Sequence, residues 1–139
     1  MPTQQQPLAA EHRLPRTASS VGLAREYLRL QLASWGLPEE AVDTAVLLLS
    51  ELMTNACRHA RCPRDRYLAA RWTLDPTATL LRVEVSDADR TLPIPRASGP
   101  DEESGRGLEL LAALATAWGA HPRACGVGKT VWFTLKYAP

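Results

Sequence analysis

The sequence predicts an α+β fold, namely a two-layer α/β sandwich in which helices cover one face of a mixed, mostly antiparallel sheet. Two observations lead to this class. Apolar residues recur at helical spacing before Pro63 and at alternating, strand-like spacing after it. The resulting order is two helices, two strands, a long loop, a helix and two strands, so most of the helical sequence is segregated from hairpin-connected strands.

Length and composition bound the functions that this chain can have. Its 139 residues suffice for one domain, which we assign to residues 12–139 after a flexible segment at 1–11. The net charge of +1 provides no basic surface for a nucleic-acid backbone, so no direct nucleic-acid binding is expected. No apolar run approaches the ~20 residues that span a bilayer, so no membrane contact is expected. Three cysteines without a secretory signal indicate the cytoplasm.

The first helix follows a short strand that we predict at residues 12–15. Thr17, Ser19 or Ser20 can cap the start of this helix, and Gly36 is placed to end it. The helical spacing between these signals predicts one buried face. Its members are Val21, Leu23, Ala24, Leu28, Leu32 and Trp35.

The second helix is apolar over much of its circumference, which is typical of a helix that lies in the core. It begins at Pro38, where Glu39 and Glu40 follow and acidic side chains stabilise a helix start. It ends near Arg61 and Pro63. Its apolar positions are Ala41, Val42, Ala45, Val46, Leu48, Leu49, Leu52, Met53 and Ala56.

The second half of the chain is predicted to complete the sheet. Residues 67–74 and 79–86 form two strands joined by a turn. A long stretch without a period in a compact domain is usually a functional lid or a disordered segment, and we interpret residues 88–105 as a lid. Residues 108–118 are an amphipathic helix, and residues 118–124 and 129–137 form a closing hairpin. The tryptophans are all predicted to lie in the core: Trp35, Trp72, Trp118 and Trp132.

A polar ridge lies on the second helix. Glu51, Asn55 and His59 are spaced i, i+4 and i+8, so they share one stripe of the helix surface. Burying such side chains on a core helix is unfavourable unless each has a partner. The stripe is therefore either a helix edge that emerges into solvent or the wall of a cleft, in which the amide oxygen of Asn55 can bind a hard cation such as Mg²⁺.

An aspartate stands at the end of the second predicted strand, just before the lid. The carboxylate of Asp87 can accept a hydrogen bond from an exocyclic amine, as adenine offers. Aspartate after a strand is also an ordinary turn residue, so this position alone does not decide between the two roles.

A short glycine motif ends the lid and opens the helix that follows. Glycines allow close backbone approach, and free N–H groups at a helix start bind anions, although a simple hinge explains the glycines as well. The motif is Gly105-Arg106-Gly107-Leu108.

Together and in this order, these segments resemble the histidine-kinase-like ATPase superfamily, which includes gyrase, MutL and sensor kinases. Within it they are similar to the small anti-sigma-factor and switch serine-kinase branch of the actinobacterial type. The segment from Glu51 to Ala60 resembles the family's N box, Asp87 its adenine-binding aspartate, Gly105 to Leu108 its second glycine box, and residues 128–133 its final strand. The resemblance runs from about residue 12 to the end of the chain.

The resemblance implies that the ligands are ATP and Mg²⁺, and it implies a role for each matching residue. Glu51 would be the general base for the attacking hydroxyl. Asn55 would hold Mg²⁺, and Asp87 would bind the adenine amine with help from Thr130 through a water. The phosphates would be bound by Gly105, Arg106, Gly107 and Leu108.

The resemblance further implies a cytoplasmic, ATP-binding regulator of the anti-sigma-factor type. Such a protein is a serine/threonine-protein kinase that phosphorylates an anti-anti-sigma antagonist, or sequesters a sigma factor, and it is a homodimer. One departure favours an alternative. The family's first glycine box reads Asp-x-Gly-x-Gly, whereas Asp89 and Thr91 replace both glycines here. Side chains at these two positions would narrow the adenine side of the pocket, so the alternative is a non-catalytic, partner-binding module with a degenerate nucleotide pocket.

Overall fold

The computed structural model describes residues 8–59, 67–87, 109–122 and 128–139, with residues 58 and 59 described by their backbone alone. The elements in these ranges are β1 (Leu8–Pro15), α1 (Ala18–Ser34), α2 (Glu39–His59), β2 (Tyr67–Asp75), β3 (Leu80–Asp87), β4 (Ala117–Pro122) and β5 (Lys129–Lys136). Residues 109–114 are also helical. None of the described helices has the length and apolar character needed to cross a membrane.

The five strands form one sheet in the order β1-β2-β3-β5-β4. Every neighbouring pair is antiparallel. The described strands therefore contain no parallel pair, whereas a mixed, mostly antiparallel sheet was expected from the sequence. The turn between β2 and β3 is held by Asp75, whose Oδ1 accepts hydrogen bonds from the N–H groups of Thr77 and Ala78, both at 3.1 Å. This order leaves β1 and β4 at the two edges of the sheet.

The helices cover one face of the sheet. In β3, Val83 and Val85 are at most 2% exposed, whereas Arg82 and Glu84, which alternate with them, are half-buried on the opposite face. α2 packs on β3 and β5, and α1 packs on α2 and β1. One core cluster joins both helices to the inward-facing residues of the strands. The predicted α+β sandwich is therefore confirmed.

The end of α1 confirms the predicted role of Gly36. Its N–H donates to the carbonyl of Ala33, and the N–H of Leu37 donates to the carbonyl of Leu32, both at 3.1 Å. Gly36 has φ +82°, the left-handed conformation that this pair of bonds requires at a helix end. The predicted buried face is wrong at Leu23, which is 43% exposed, because it lies beyond the edge of the face formed by the buried side chains.

The first strand is longer than predicted. β1 begins at Leu8 instead of His12, and residues 8–11 pair in register with residues 71–74 of β2. The flexible segment predicted at 1–11 is therefore wrong for these four residues, while residues 1–7 lie outside the described ranges. Ala9 and Ala10 have low intrinsic strand preference, so pairing with β2 decides their conformation.

The boundary between the last helix and β4 also differs from the prediction. The helical residues end at 114 and β4 begins at Ala117, where a helix to residue 118 was expected. Two bonds to β5 fix this boundary. The N–H of Thr116 donates to the carbonyl of Thr134, and the N–H of Lys136 donates to Oγ1 of Thr116, both at 2.8 Å. Pairing with β5 therefore begins before the helical periodicity of the sequence ends.

Three of the four tryptophans belong to the core, as predicted. Trp72 is fully buried, and Trp35 and Trp118 pack against the core cluster. The prediction is wrong for Trp132, which lies on the uncovered face of the sheet. There the guanidinium of Arg82 stacks over its ring at 4.3 Å from the centroid.

Candidate functional site

Two residues of the predicted ridge lie one turn apart on α2, which runs unbroken from Glu39 to His59. Glu51 and Asn55 are half-buried, whereas Leu52 and Met53 between them are at most 3% exposed. Among the described residues, neither polar side chain has a hydrogen-bond or ion-pair partner. They therefore stand at the border of the buried face with their oxygens available to a ligand. The side chain of His59 is outside the described part.

The predicted aspartate closes the central strand of the sheet. Asp87 is the last residue of β3 and is only 2% exposed. Strand alternation places it on the same face as Val83 and Val85, which is the face that α2 covers. A carboxylate is unfavourable in such a place without a polar or charged neighbour. Its burial distinguishes it from an ordinary solvent-exposed turn residue.

A lysine that the sequence analysis did not single out lies directly opposite this aspartate. Lys129 is the register partner of Asp87 across β3 and β5, and it is 6% exposed. Residues 133 and 135 of β5 face the core, so Lys129 at the same parity faces it as well. Counting back by twos from Phe133 would have revealed this position from the sequence.

The structure does not bring Thr130 to Asp87. Thr130 pairs with Ser86, and the hydroxyl oxygens of the two residues are hydrogen-bonded at 2.7 Å. Both side chains lie on the uncovered face of the sheet, whereas Asp87 lies on the helix-covered face. The side chain of Thr130 therefore points away from Asp87, and the water-mediated role that the resemblance implied for it stays a prediction. Thr130 follows Lys129 directly in β5, and successive side chains of a strand point to opposite faces of the sheet.

Burial also affects a thiol two residues beyond Asn55. Cys57 is half-buried, and its Sγ lies 3.5 Å from the carbonyl oxygen of Thr17. Burial raises the pKa of the Cys57 thiol, and the nearby charge of Arg16 lowers it by less. The thiol is therefore protonated at neutral pH.

The comparison with protein families decides the class to which this site belongs. Residues 14–135 match the family model described as the histidine kinase-like ATPase domain. This range contains Glu51, Asn55 and Asp87, and it covers most of the chain. The chain belongs to the histidine kinase-like ATPase domain family. Membership in this family implies ATP as the ligand.

Solved structures of other proteins share the fold of this histidine kinase-like ATPase domain. The RsbU and RsbW domains of Rv1364c from Mycobacterium tuberculosis align with a TM-score of 0.69 and 21% identity, over 95% of this chain and 32% of that one. The Erythrobacter litoralis EL346 blue-light activated histidine kinase aligns with a TM-score of 0.54 and 26% identity, over 71% of this chain and 31% of that one. This chain therefore spans about a third of each relative's length. No curated protein matches it.

The remaining predicted residues of the ATPase domain are not part of the described structure. Gly105, Arg106, Gly107 and Leu108 lie outside it, as does the lid at 88–105, so their phosphate-binding role stays a prediction. In the described ranges no three histidine, cysteine or acidic side chains cluster as metal ligands. The amide oxygen of Asn55 suits Mg²⁺, which takes few protein ligands and completes its shell with phosphate and water.

Proposed function

We propose that this protein binds ATP with Mg²⁺ and works in the cytoplasm as a regulatory serine/threonine-protein kinase of the anti-sigma-factor type. The observation that carries the proposal is the buried carboxylate of Asp87 at the end of β3, on the sheet face that is covered by α2, the helix that bears Glu51 and Asn55. The family match supports ATP as the ligand. The kinase activity and its partners rest on the resemblance of the motifs.

Each residue has a distinct task in this proposal. Asp87 accepts a hydrogen bond from the adenine amine, and its burial excludes competing water. Asn55 holds Mg²⁺, which neutralises charge on the phosphates when bound. Glu51 takes the proton of the attacking serine hydroxyl. Gly105 to Leu108 bind the phosphates through backbone N–H groups.

The experiment that tests the kinase proposal measures transfer of labelled γ-phosphate from ATP to candidate antagonist proteins that carry a target serine. We expect Glu51→Gln to lower transfer by roughly 10²- to 10⁴-fold, which is the usual contribution of a general base. The affinity for ATP should change by less than about 3-fold, because the base is not a binding group. Glu40→Gln is the matched control, since Glu40 is exposed near the start of the same helix. Transfer that is absent, or unaffected by Glu51→Gln, contradicts the proposal.

The alternative is a non-catalytic module that captures a regulatory partner. It is favoured by Asp89 and Thr91, which stand where the family's first glycine box has glycines. If the pocket is degenerate, we expect no ATP binding at millimolar concentration, and we expect the wild type and Asp87→Asn to give the same result in an ATP-binding assay. Micromolar binding that is lost in Asp87→Asn rules this alternative out.

The partners that we propose are a sigma factor or an anti-anti-sigma protein, and a second copy of this chain. The edge strand β1 supports the second copy. Its exposed residues Glu11 and Arg13 flank His12, so an antiparallel β1–β1 pair with its two-fold axis at His12 sets each Glu11 opposite the other copy's Arg13. On α1 the apolar side chains Leu23, Tyr27 and Leu30 are exposed at helical spacing. The ring of Tyr27 stacks on His12 at 4.7 Å between centroids, which locates this stripe beside β1.

Charge reversal tests this interface, with the molar mass of the protein in solution as the measure of dimerisation. Arg13→Glu should weaken the dimer by roughly 10-fold or more, because two attractive pairs become repulsive. Combining Arg13→Glu with Glu11→Arg in one chain should restore it, and so should mixing the two single variants. Arg13 is the better single site, since its partner in β2 is the uncharged Ala69. A wild-type monomer at about 100 μM, or single variants that dimerise like the wild type, would argue against this pairing.

A further inference from the structure

Two charged side chains are buried in the described part of the chain, and they are opposite in sign. Asp87 is 2% exposed and Lys129 is 6% exposed. They occupy the same register position on β3 and β5, which are neighbours at the centre of the sheet. Directly opposed residues on one face of an antiparallel pair have Cβ atoms about 4.5–5.5 Å apart. The ammonium group is therefore within reach of the carboxylate.

The alternation of the strands separates this charged pair from the hydroxyl pair beside it. Ser86 and Thr130 bond to each other on the uncovered face. Asp87 and Lys129 continue the row of buried core residues that includes Val85. Burying one of these charges alone would be strongly unfavourable, whereas an opposite charge at short range offsets much of the desolvation cost. Each charge thus explains how the other can be buried.

We propose that Lys129 is a positioning residue for adenine recognition, whose ammonium group holds one carboxylate oxygen of Asp87 and leaves the other to accept the amine hydrogen of the base. This inference rests on the proposed ATP site. A nearby cation favours the ionised form of a buried carboxylate and restricts its rotation. An ionised, fixed carboxylate accepts a stronger hydrogen bond than a neutral acid does. Lys129 therefore contributes to the preference for a 6-aminopurine without contacting the base.

The experiment compares two nucleotides that differ only at the group that Asp87 is proposed to read. One is ATP and the other is purine riboside triphosphate, which lacks the exocyclic amine. We expect the wild type to bind ATP roughly 10- to 150-fold more tightly, the range for a hydrogen bond to a charged group. In Lys129→Met this ratio should fall below about 3-fold, mainly through weaker ATP binding. Lys129→Arg keeps the charge and should retain most of the preference.

A structural role for Lys129 predicts a different result, because a distorted pocket weakens both nucleotides alike. A ratio that is unchanged in Lys129→Met overturns the inference while the ATP site stands. If the wild type binds neither nucleotide, the proposed function fails and the inference fails with it. If Lys129→Met does not fold, the Asp87→Asn/Lys129→Met double variant should be more stable than that single variant and should show a urea unfolding transition, since it leaves no uncompensated charge. A double variant that is no more stable counts against the pair.

Discussion

The contact between Gly119 and Trp132 gives a prediction whose sign and size follow from the structure. A Cβ added at Gly119 would lie 2.8, 3.0 and 3.1 Å from three atoms of the Trp132 indole. Unstrained carbon contacts are about 3.5–4.0 Å, so the ring must move by roughly 0.7 Å or more. Arg82 covers the ring at 4.3 Å from its centroid, and a shift of the ring disturbs that stacking. Gly119→Ala should therefore destabilise the fold.

The expected magnitude combines two opposing terms. Overpacking costs about 1–3 kcal/mol, whereas replacing glycine by alanine recovers about 0.4–1 kcal/mol by restricting the unfolded chain. From the midpoints of these two ranges the net loss is about 1.3 kcal/mol, or a melting temperature lower by roughly 5 °C at ~4 °C per kcal/mol. Thermal and urea unfolding both measure this loss.

Two further variants make the test specific to the indole. In a Trp132→Leu background the ring is absent, so Gly119→Ala should become stabilising by about 0.4–1 kcal/mol. The matched control is Gly22→Ala on α1, where nothing lies within 4 Å of an added Cβ. That change should stabilise the protein by about 0.5–1 kcal/mol, because alanine is the better helix former. A Gly119→Ala protein as stable as the wild type, or an equal loss in both backgrounds, would refute the packing argument.

Three other predictions concern single residues. Gly36→Ala should cost about 1–2 kcal/mol in urea unfolding, because Gly36 has φ +82° and alanine is strained there; no loss would contradict the left-handed helix end. Trp72→Phe should stay within about 1 kcal/mol of the wild type, since the buried Nε1 of Trp72 has no partner in the described part of the chain and removing it offsets the volume lost. A loss near 3 kcal/mol would indicate an unseen partner. Burial raises the pKa of the Cys57 thiol and disfavours the reactive thiolate. The alkylation rate of Cys57, followed by peptide mass spectrometry, should therefore be lower at neutral pH than the rate of an unperturbed thiol, and it should increase only above the ordinary pKa of cysteine. Equal rates for the two thiols would contradict this prediction.

The parts of the fold that the sequence predicted correctly are those with a strong local signal. α2 has apolar residues around much of its surface, and Asn55 lies on it as its spacing required. β3 alternates strictly, so its end at Asp87 could be located to one residue. Gly36 follows the last helical turn of α1 and ends it. In each case the local preference and the tertiary contacts favour the same conformation.

The parts that the sequence did not predict depend on pairing between distant strands. The start of β1 at Leu8 is set by β2, and the start of β4 at Ala117 is set by β5. Composition alone gives no strand signal for Ala9 and Ala10. The same limitation affected the site. The motif resemblance favours Thr130 as a neighbour of Asp87, but only the register shows that the two side chains lie on opposite faces of the sheet.

The most direct test of the ATP site is a titration of the wild-type chain with ATP, with and without Mg²⁺, read by thermal unfolding. At ATP a hundredfold above its dissociation constant, the fold should gain about 2.7 kcal/mol. This gain corresponds to roughly 10 °C at ~4 °C per kcal/mol. Omitting Mg²⁺ should reduce the shift, because Asn55 then has no cation to share with the phosphates, and Asp87→Asn should remove most of it. No shift at several millimolar ATP with Mg²⁺, or an equal shift in Asp87→Asn, would contradict the account.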